Sequence, residues 1–163
     1  MVTQCRICLP NIEPLLNESQ WWRVILNREQ SLLGKSLVVL RRHTELLSEL
    51  EPYEWSSLQR VAVQTNAIRH AFAADHFNYA LLQNMERHVH LHVLPRYAAV
   101  REFARLTFQD DRYGDHYEVP THPRFVASAE LDAIADEVRR HWSRRFPDEA
   151  QARKRMLKIL GPS

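Results

Sequence analysis

No stretch of this chain approaches the roughly 20 apolar residues that a bilayer-spanning helix needs, so no membrane segment is expected. The opening MVTQCRICLPNIEP likewise lacks the continuous apolar run of a secretory leader. Charge of one sign is scarce: 22 Lys and Arg stand against 20 Asp and Glu, a formal +2. So close a balance argues against a general nucleic-acid binder, which shows a basic excess. Cysteine is nearly absent as well. The two present, Cys5 and Cys8, form one C-x-x-C. In a reducing compartment such a pair binds metal or does redox work more often than it forms a structural bridge. A thioredoxin-like motif would sit at a strand-to-helix turn in a βαβ pattern, and none is visible here. Together these absences predict a soluble cytoplasmic protein whose cysteine pair still needs partners.

What is present supports one compact domain. The 163 residues are 45% hydrophobic and include four tryptophans, enough for a real core with a tail. WWRVILN (21–27) and KSLVVLRR (35–42) read as strands, with Gly34 turning into the second. From Pro52, apolar residues recur every three or four positions: Trp55, Leu58, Val61, Ala62, Ile68 and Phe72. That spacing predicts one amphipathic helix of about five turns, with Pro52 in its first turn. HFNYALLQN (76–84) and HVHLHVLP (88–95) then read as an antiparallel hairpin. Residues 103–125 read as an ordered loop with short strands at most. Ser128 offers an N-cap to a second helix faced by Leu131, Ile134, Ala135, Val138 and Trp142. Beyond it, Arg139, Arg140, Arg144, Arg145, Arg153, Lys154, Arg155 and Lys158 read as a solvated face rather than a polyphosphate-attracting one.

The segment HVHLHVLPRY (88–97) carries the chemistry. Alternate strand residues share a face, so His88, His90 and His92 form a row while Val89, Leu91 and Val93 enter the core. Two readings follow. Three imidazoles can ligate a transition metal. Alternatively, one attacks phosphorus while its neighbours manage protons and charge, a task suited to imidazole's near-neutral pKa. His70, His76, His116, His122 and His141 show no comparable grouping.

This string resembles the signature of the histidine-triad superfamily, His-φ-His-φ-His-φ-φ with φ apolar. Its VLPR continuation is similar to the dinucleoside-polyphosphate hydrolase, or fragile-histidine-triad, branch. LNREQSLLGKSLVVLRRH (26–43) resembles the family's first hairpin, which ends in a basic-x-His element, and the helix and FNYALLQN follow in family order. The resemblance covers roughly residues 5–97. It implies an α+β histidine-triad fold, an antiparallel sheet of about five strands with one long helix, in a homodimer. Residues 1–100 would form the triad core domain, and 101–163 a loop and helical extension packed on it.

For function, the resemblance implies a hydrolase or transferase acting at the α-phosphate of a nucleotide or dinucleoside polyphosphate. His90 would be the nucleophile, giving a nucleotidyl-histidine, with His92 beside the phosphate or leaving group. Asn27 would contact ribose; Gln83 and Asn84 would meet phosphate oxygens from the strand opposite the triad; His88 and Lys35 complete the nucleotide set. Lys35 is a departure, since the family commonly has a histidine there, and lysine shuttles protons near neutral pH only if its pKa is strongly depressed. The short QNMER segment and Leu40, in place of a frequent proline, depart as well. A nucleotide-binding or signalling module with little turnover is the alternative. Some bacterial members hold structural zinc through the residues corresponding to Cys5, Cys8, His43 and His88, a closed set that zinc favours.

Overall fold

The computed structural model describes residues 5–9 and 14–142. Five strands form one antiparallel sheet in the order β1-β2-β3-β5-β4: β1 (Leu15–Glu18), β2 (Trp22–Leu26), β3 (Ser36–Leu40), β4 (His76–Ala80) and β5 (His90–Arg96). A separate hairpin follows, of β6 (Arg101–Phe103) and β7 (Leu106–Phe108). The expected α+β architecture is present. β1 is an additional edge strand with no strong apolar alternation to announce it. Among the described residues, no helix is long and apolar enough to cross a membrane.

The sheet has two chemically distinct faces. Trp22, Val24, Leu26, Val38, Leu40, Val89, Leu91 and Val93 face the helices and are buried. Against them pack Val61 of α1 (Pro52–Gln64), Ala67, Ile68 and Phe72 of α2 (Asn66–Phe72), and Leu131, Ile134, Ala135, Val138 and Trp142 of α3 (Ser128–Trp142). The face expected of α3 is therefore the one it buries. Arg139 and Arg140 at its end are exposed; Arg144, Arg145, Arg153, Lys154, Arg155 and Lys158 lie outside the described residues.

The single helix expected from Pro52 is broken at Thr65 into pieces of 13 and 7 residues. Trp55, expected in the core, is 45% exposed, and Glu54 and Ser57 point inward instead. The reason is polar pairing. Buried Trp22 donates its indole N–H to the Glu54 carbonyl (3.0 Å) and Ser57 Oγ (3.1 Å), and Glu54 receives Arg42 at 2.7 and 2.8 Å. Buried donors need such acceptors.

Gly34 fixes how closely the first hairpin approaches α2. Its φ is +81°, and an added Cβ would lie 2.9 Å from Ile68 Cγ2 and 3.1 Å from Phe72 Cδ2. Gly34→Ala is therefore strained twice, by backbone and by contact. We expect it to lose about 2–4 kcal/mol in urea unfolding; a loss under about 0.5 kcal/mol, the size of an ordinary surface substitution, would contradict this packing.

Candidate active site and metal centre

The histidine row lies on the sheet face opposite the helices. Val39 pairs with His90 and Leu37 with His92 across β3 and β5, and Ala80 of β4 meets His92 from the other side. Directly paired residues share a face, so these side chains form one surface. His88 and His90 are buried and His92 partly so, while Val89, Leu91 and Val93 enter the core as the alternation predicts.

The three imidazoles have different partners. His90 Nδ1 lies 2.7 Å from the His88 carbonyl oxygen. A carbonyl only accepts, so Nδ1 carries the proton and Nε2 keeps its lone pair. That nitrogen lies 3.2 Å from His92 Nε2, so a hydrogen bond between them requires His92 to be the donor. Burial first, then His90, then Lys35 push the His92 imidazole down to about 4. His92 is thus neutral near pH 7 and offers an N–H. An anionic phosphate beside it would favour its protonated form.

That depression has a thermodynamic consequence. An unfolded imidazole takes a proton below about pH 6.5, whereas folded His92 resists until about 4, so acid favours unfolding in that window. Stability linked to His92 is complete above about pH 6.5 and falls as pH drops toward 4. Between pH 7.5 and 4.5 the parent should lose about 2–3 kcal/mol more than His92→Gln in paired urea titrations. Equal losses would show that His92 is not held neutral.

His88 faces another group. Its Nε2 donates to the Leu40 carbonyl at 2.7 Å, leaving Nδ1 unprotonated, and burial disfavours its charged form. Nδ1 lies 3.3 Å from His43 Nδ1, 3.4 Å from Cys8 Sγ and 3.6 Å from Cys5 Sγ, and Cys8 Sγ is 3.4 Å from His43 Nδ1. All four ligand atoms lie within 4.8 Å of one another. A tetrahedral ion with bonds of about 2.3 Å to sulfur and 2.0 Å to nitrogen sets N···N near 3.3 Å and S···N near 3.5 Å. The donor set and its spacing therefore fit such an ion. Ile7, between the cysteines, packs on Ile25 and Val39 of the histidine face. Arg6 pairs with Glu86 at 2.6 Å, tying this turn to the 81–87 loop.

Other expected site residues are placed less simply. Asn27 follows β2, but its Oδ1 accepts from the Glu29 amide at 3.0 Å. Lys35 is buried, paired with the Glu29 carboxylate and donating to Tyr117 Oη at 2.8 Å. The strand expected to run to residue 84 ends at Ala80, so Gln83 and Asn84 do not lie on it opposite the triad. Gln83 adopts φ 49°, and its amide donates to the Glu45 carbonyl at 2.7 Å; Asn84 is exposed. A strand cannot continue through a left-handed residue, and the seven residues of 81–87 must turn back at once to reach His88. Glu29 and Tyr117 were not expected at the site. A Glu six residues before a Lys gives no local signal, and Tyr117 arrives from a distant loop.

No family model matches the sequence, and no curated protein matches it. Solved structures do match its fold. A histidine-triad protein from Sinorhizobium meliloti aligns with a TM-score of 0.64 at 16% identity, covering 78% of this chain and 87% of that one. The chain has the histidine-triad fold. A hypothetical histidine triad nucleotide-binding protein from Sulfolobus tokodaii aligns with a TM-score of 0.62 at 15% identity, covering 82% and 91%. A Zn-bound histidine triad family protein from Mycobacterium smegmatis aligns with a TM-score of 0.54 at 19% identity, covering 86% of each chain. Within the histidine-triad fold, the strand bearing His90 and His92 is an interior one, β5, between β3 and edge strand β4.

Proposed function

We propose that this chain is a histidine-triad nucleotide hydrolase or transferase, acting at the α-phosphate of a nucleotide or dinucleoside polyphosphate. The observation that carries this reading is the His88 carbonyl holding the proton of His90 on Nδ1, which leaves Nε2 as a lone pair. In the first step Nε2 attacks the α-phosphorus; a P–N bond forms and the P–O bond to the leaving group breaks. His92, protonated once phosphate sits beside it, gives its proton to the departing oxygen. In the second step water attacks phosphorus, its proton returns to His92, and the P–N bond breaks to release nucleoside monophosphate. The VLPR continuation supports the dinucleoside-polyphosphate hydrolase-like branch.

The metal reading accompanies it. Cys5, Cys8, His43 and His88 hold a structural zinc, whose chemistry is a four-way cross-link of the amino-terminal turn to the sheet. Exposed Tyr79 on edge strand β4, with Leu81, Leu82 and Met85 after it, supports a homodimer, and this surface is where the second copy would bury them. Diversion of Gln83 to Glu45 and of Lys35 to Glu29 favours the second reading, a nucleotide-binding module with little turnover.

A panel of dinucleoside polyphosphates and nucleoside phosphoramidates, followed by chromatography for released nucleoside monophosphate, separates the two. Release that depends on His90 supports the enzyme. Nucleotide binding by calorimetry with no release from any substrate would favour the module.

A further inference from the structure

Lys35 and Tyr117 form a polar pair for which nucleotidyl transfer at His90 has not yet given a task. Lys35 directly precedes β3, two residues before Leu37, the partner of His92. Along this face the order is therefore His90, His92, Lys35, each separated by about 6–7 Å of strand rise or by the neighbouring strand. Lys35 is 6% exposed, and its charge already acts on the His92 imidazole. The ammonium has three donors. One goes to Glu29 and one to Tyr117 Oη at 2.8 Å, with Nζ 5.3 Å from the ring centroid. Glu29 also receives the amides of Ser31 (2.7 Å) and Arg124 (3.2 Å), so it is fully engaged and fixes the lysine.

Tyr117 accepts from Lys35, yet its own hydroxyl hydrogen has no acceptor among the described residues. The loop that carries it is held firmly. Arg96, 2% exposed, binds Asp110 at 2.7 and 3.1 Å and the Asp115 carbonyl at 3.0 Å. Further on, the Gln30 amide donates to the Arg124 carbonyl at 2.8 Å. Tyr117 also lines a cavity of about 410 Å³, but that cavity carries Asp110, Asp111 and Glu118 and none of the histidine row, so an anion would meet the hydroxyl from the Lys35 side instead. An oriented hydroxyl with a spare hydrogen, beside a buried cation on the histidine face, suits an anionic oxygen.

We propose that the Tyr117 hydroxyl, oriented by Lys35, donates a hydrogen bond to the phosphate on the leaving side of the scissile bond. A substrate whose α-phosphorus meets His90 and whose leaving oxygen meets His92 extends its next phosphate along the row toward this pair. Glu29 is then a positioning residue, acting through Lys35. The proposal rests on the nucleotide reading above.

Calorimetry in a His90→Ala background, where nucleotides are not consumed, tests it with a nucleoside monophosphate and the matching diphosphate. Tyr117→Phe removes only the hydroxyl. It should weaken diphosphate binding by about tenfold or more, the worth of one hydrogen bond to a charged group, and change monophosphate binding by less than about twofold. Equal weakening of both ligands would overturn the proposal, since a structural role would not distinguish them. Unchanged binding of both would overturn it too, and leave the nucleotide reading standing. No binding of either nucleotide to the His90→Ala parent would overturn both.

Discussion

Replacing His90 with alanine should lower turnover at least about a thousandfold, because it removes the proposed nucleophile and nothing nearby can take its place. His92, the other imidazole within reach, presents its Nε2 to His90 and is pushed down to about 4 by burial and by His90 and Lys35. It is therefore a hydrogen-bond donor rather than a second nucleophile. His92→Asn should be milder in the first step for substrates with good leaving groups, since a weakly basic leaving oxygen needs less help from an acid. Steady-state kinetics with one activated and one natural substrate would measure the contrast. His90→Ala should leave the proposed metal site intact, because its ring bonds the His88 backbone carbonyl and none of the four ligand atoms. Turnover by His90→Ala at the parent rate would end the nucleotidyl-histidine account.

Loss of the proposed zinc should have the second largest effect. Cys8→Ser removes one thiolate from the set formed with Cys5, His43 and His88. We expect zinc content to fall from one per chain to none, and stability by about 3 kcal/mol or more, roughly 10 °C for a domain of this size. Prolonged chelation of the parent should reproduce the shift. Turnover should fall as well, because His88 belongs to both halves of the site. Its ring faces the two sulfurs, and its carbonyl holds the Nδ1 proton of His90 at 2.7 Å. Atomic absorption with thermal unfolding checks these expectations. Metal kept in Cys8→Ser but lost in His90→Ala and His92→Ala would mean that the imidazole row itself is the ligand set.

The residues that were legible in advance are those whose roles are written in short-range order. Alternation in HVHLHVLP places three imidazoles and three apolar side chains on opposite faces, because a strand leaves no other arrangement. The pairing of Cys5 and Cys8 with His43 and His88 came from the family resemblance, and the fold brings the four together across 83 positions of chain. Other features depend on tertiary partners that periodicity does not encode. Trp55 sits at helical spacing yet faces solvent, because the buried Trp22 indole and the exposed Arg42 guanidinium recruit Ser57 and Glu54 inward. The strand that should have carried Gln83 stops at Ala80, since the short 81–87 segment must reverse direction. Tyr117 reaches Lys35 from 82 positions away, through a loop fixed by Arg96 and Arg124. No local pattern marks that contact.

The most direct test of the central claim is to trap the intermediate. The 163-residue chain is mixed with a labelled dinucleoside tetraphosphate, quenched within milliseconds to seconds, digested and examined by mass spectrometry. The account predicts a nucleoside monophosphate adduct on the peptide containing residues 88–97, located at His90 and absent from His90→Ala. Substrate consumed with no adduct at any quench time, or an adduct on His92 instead, would contradict it.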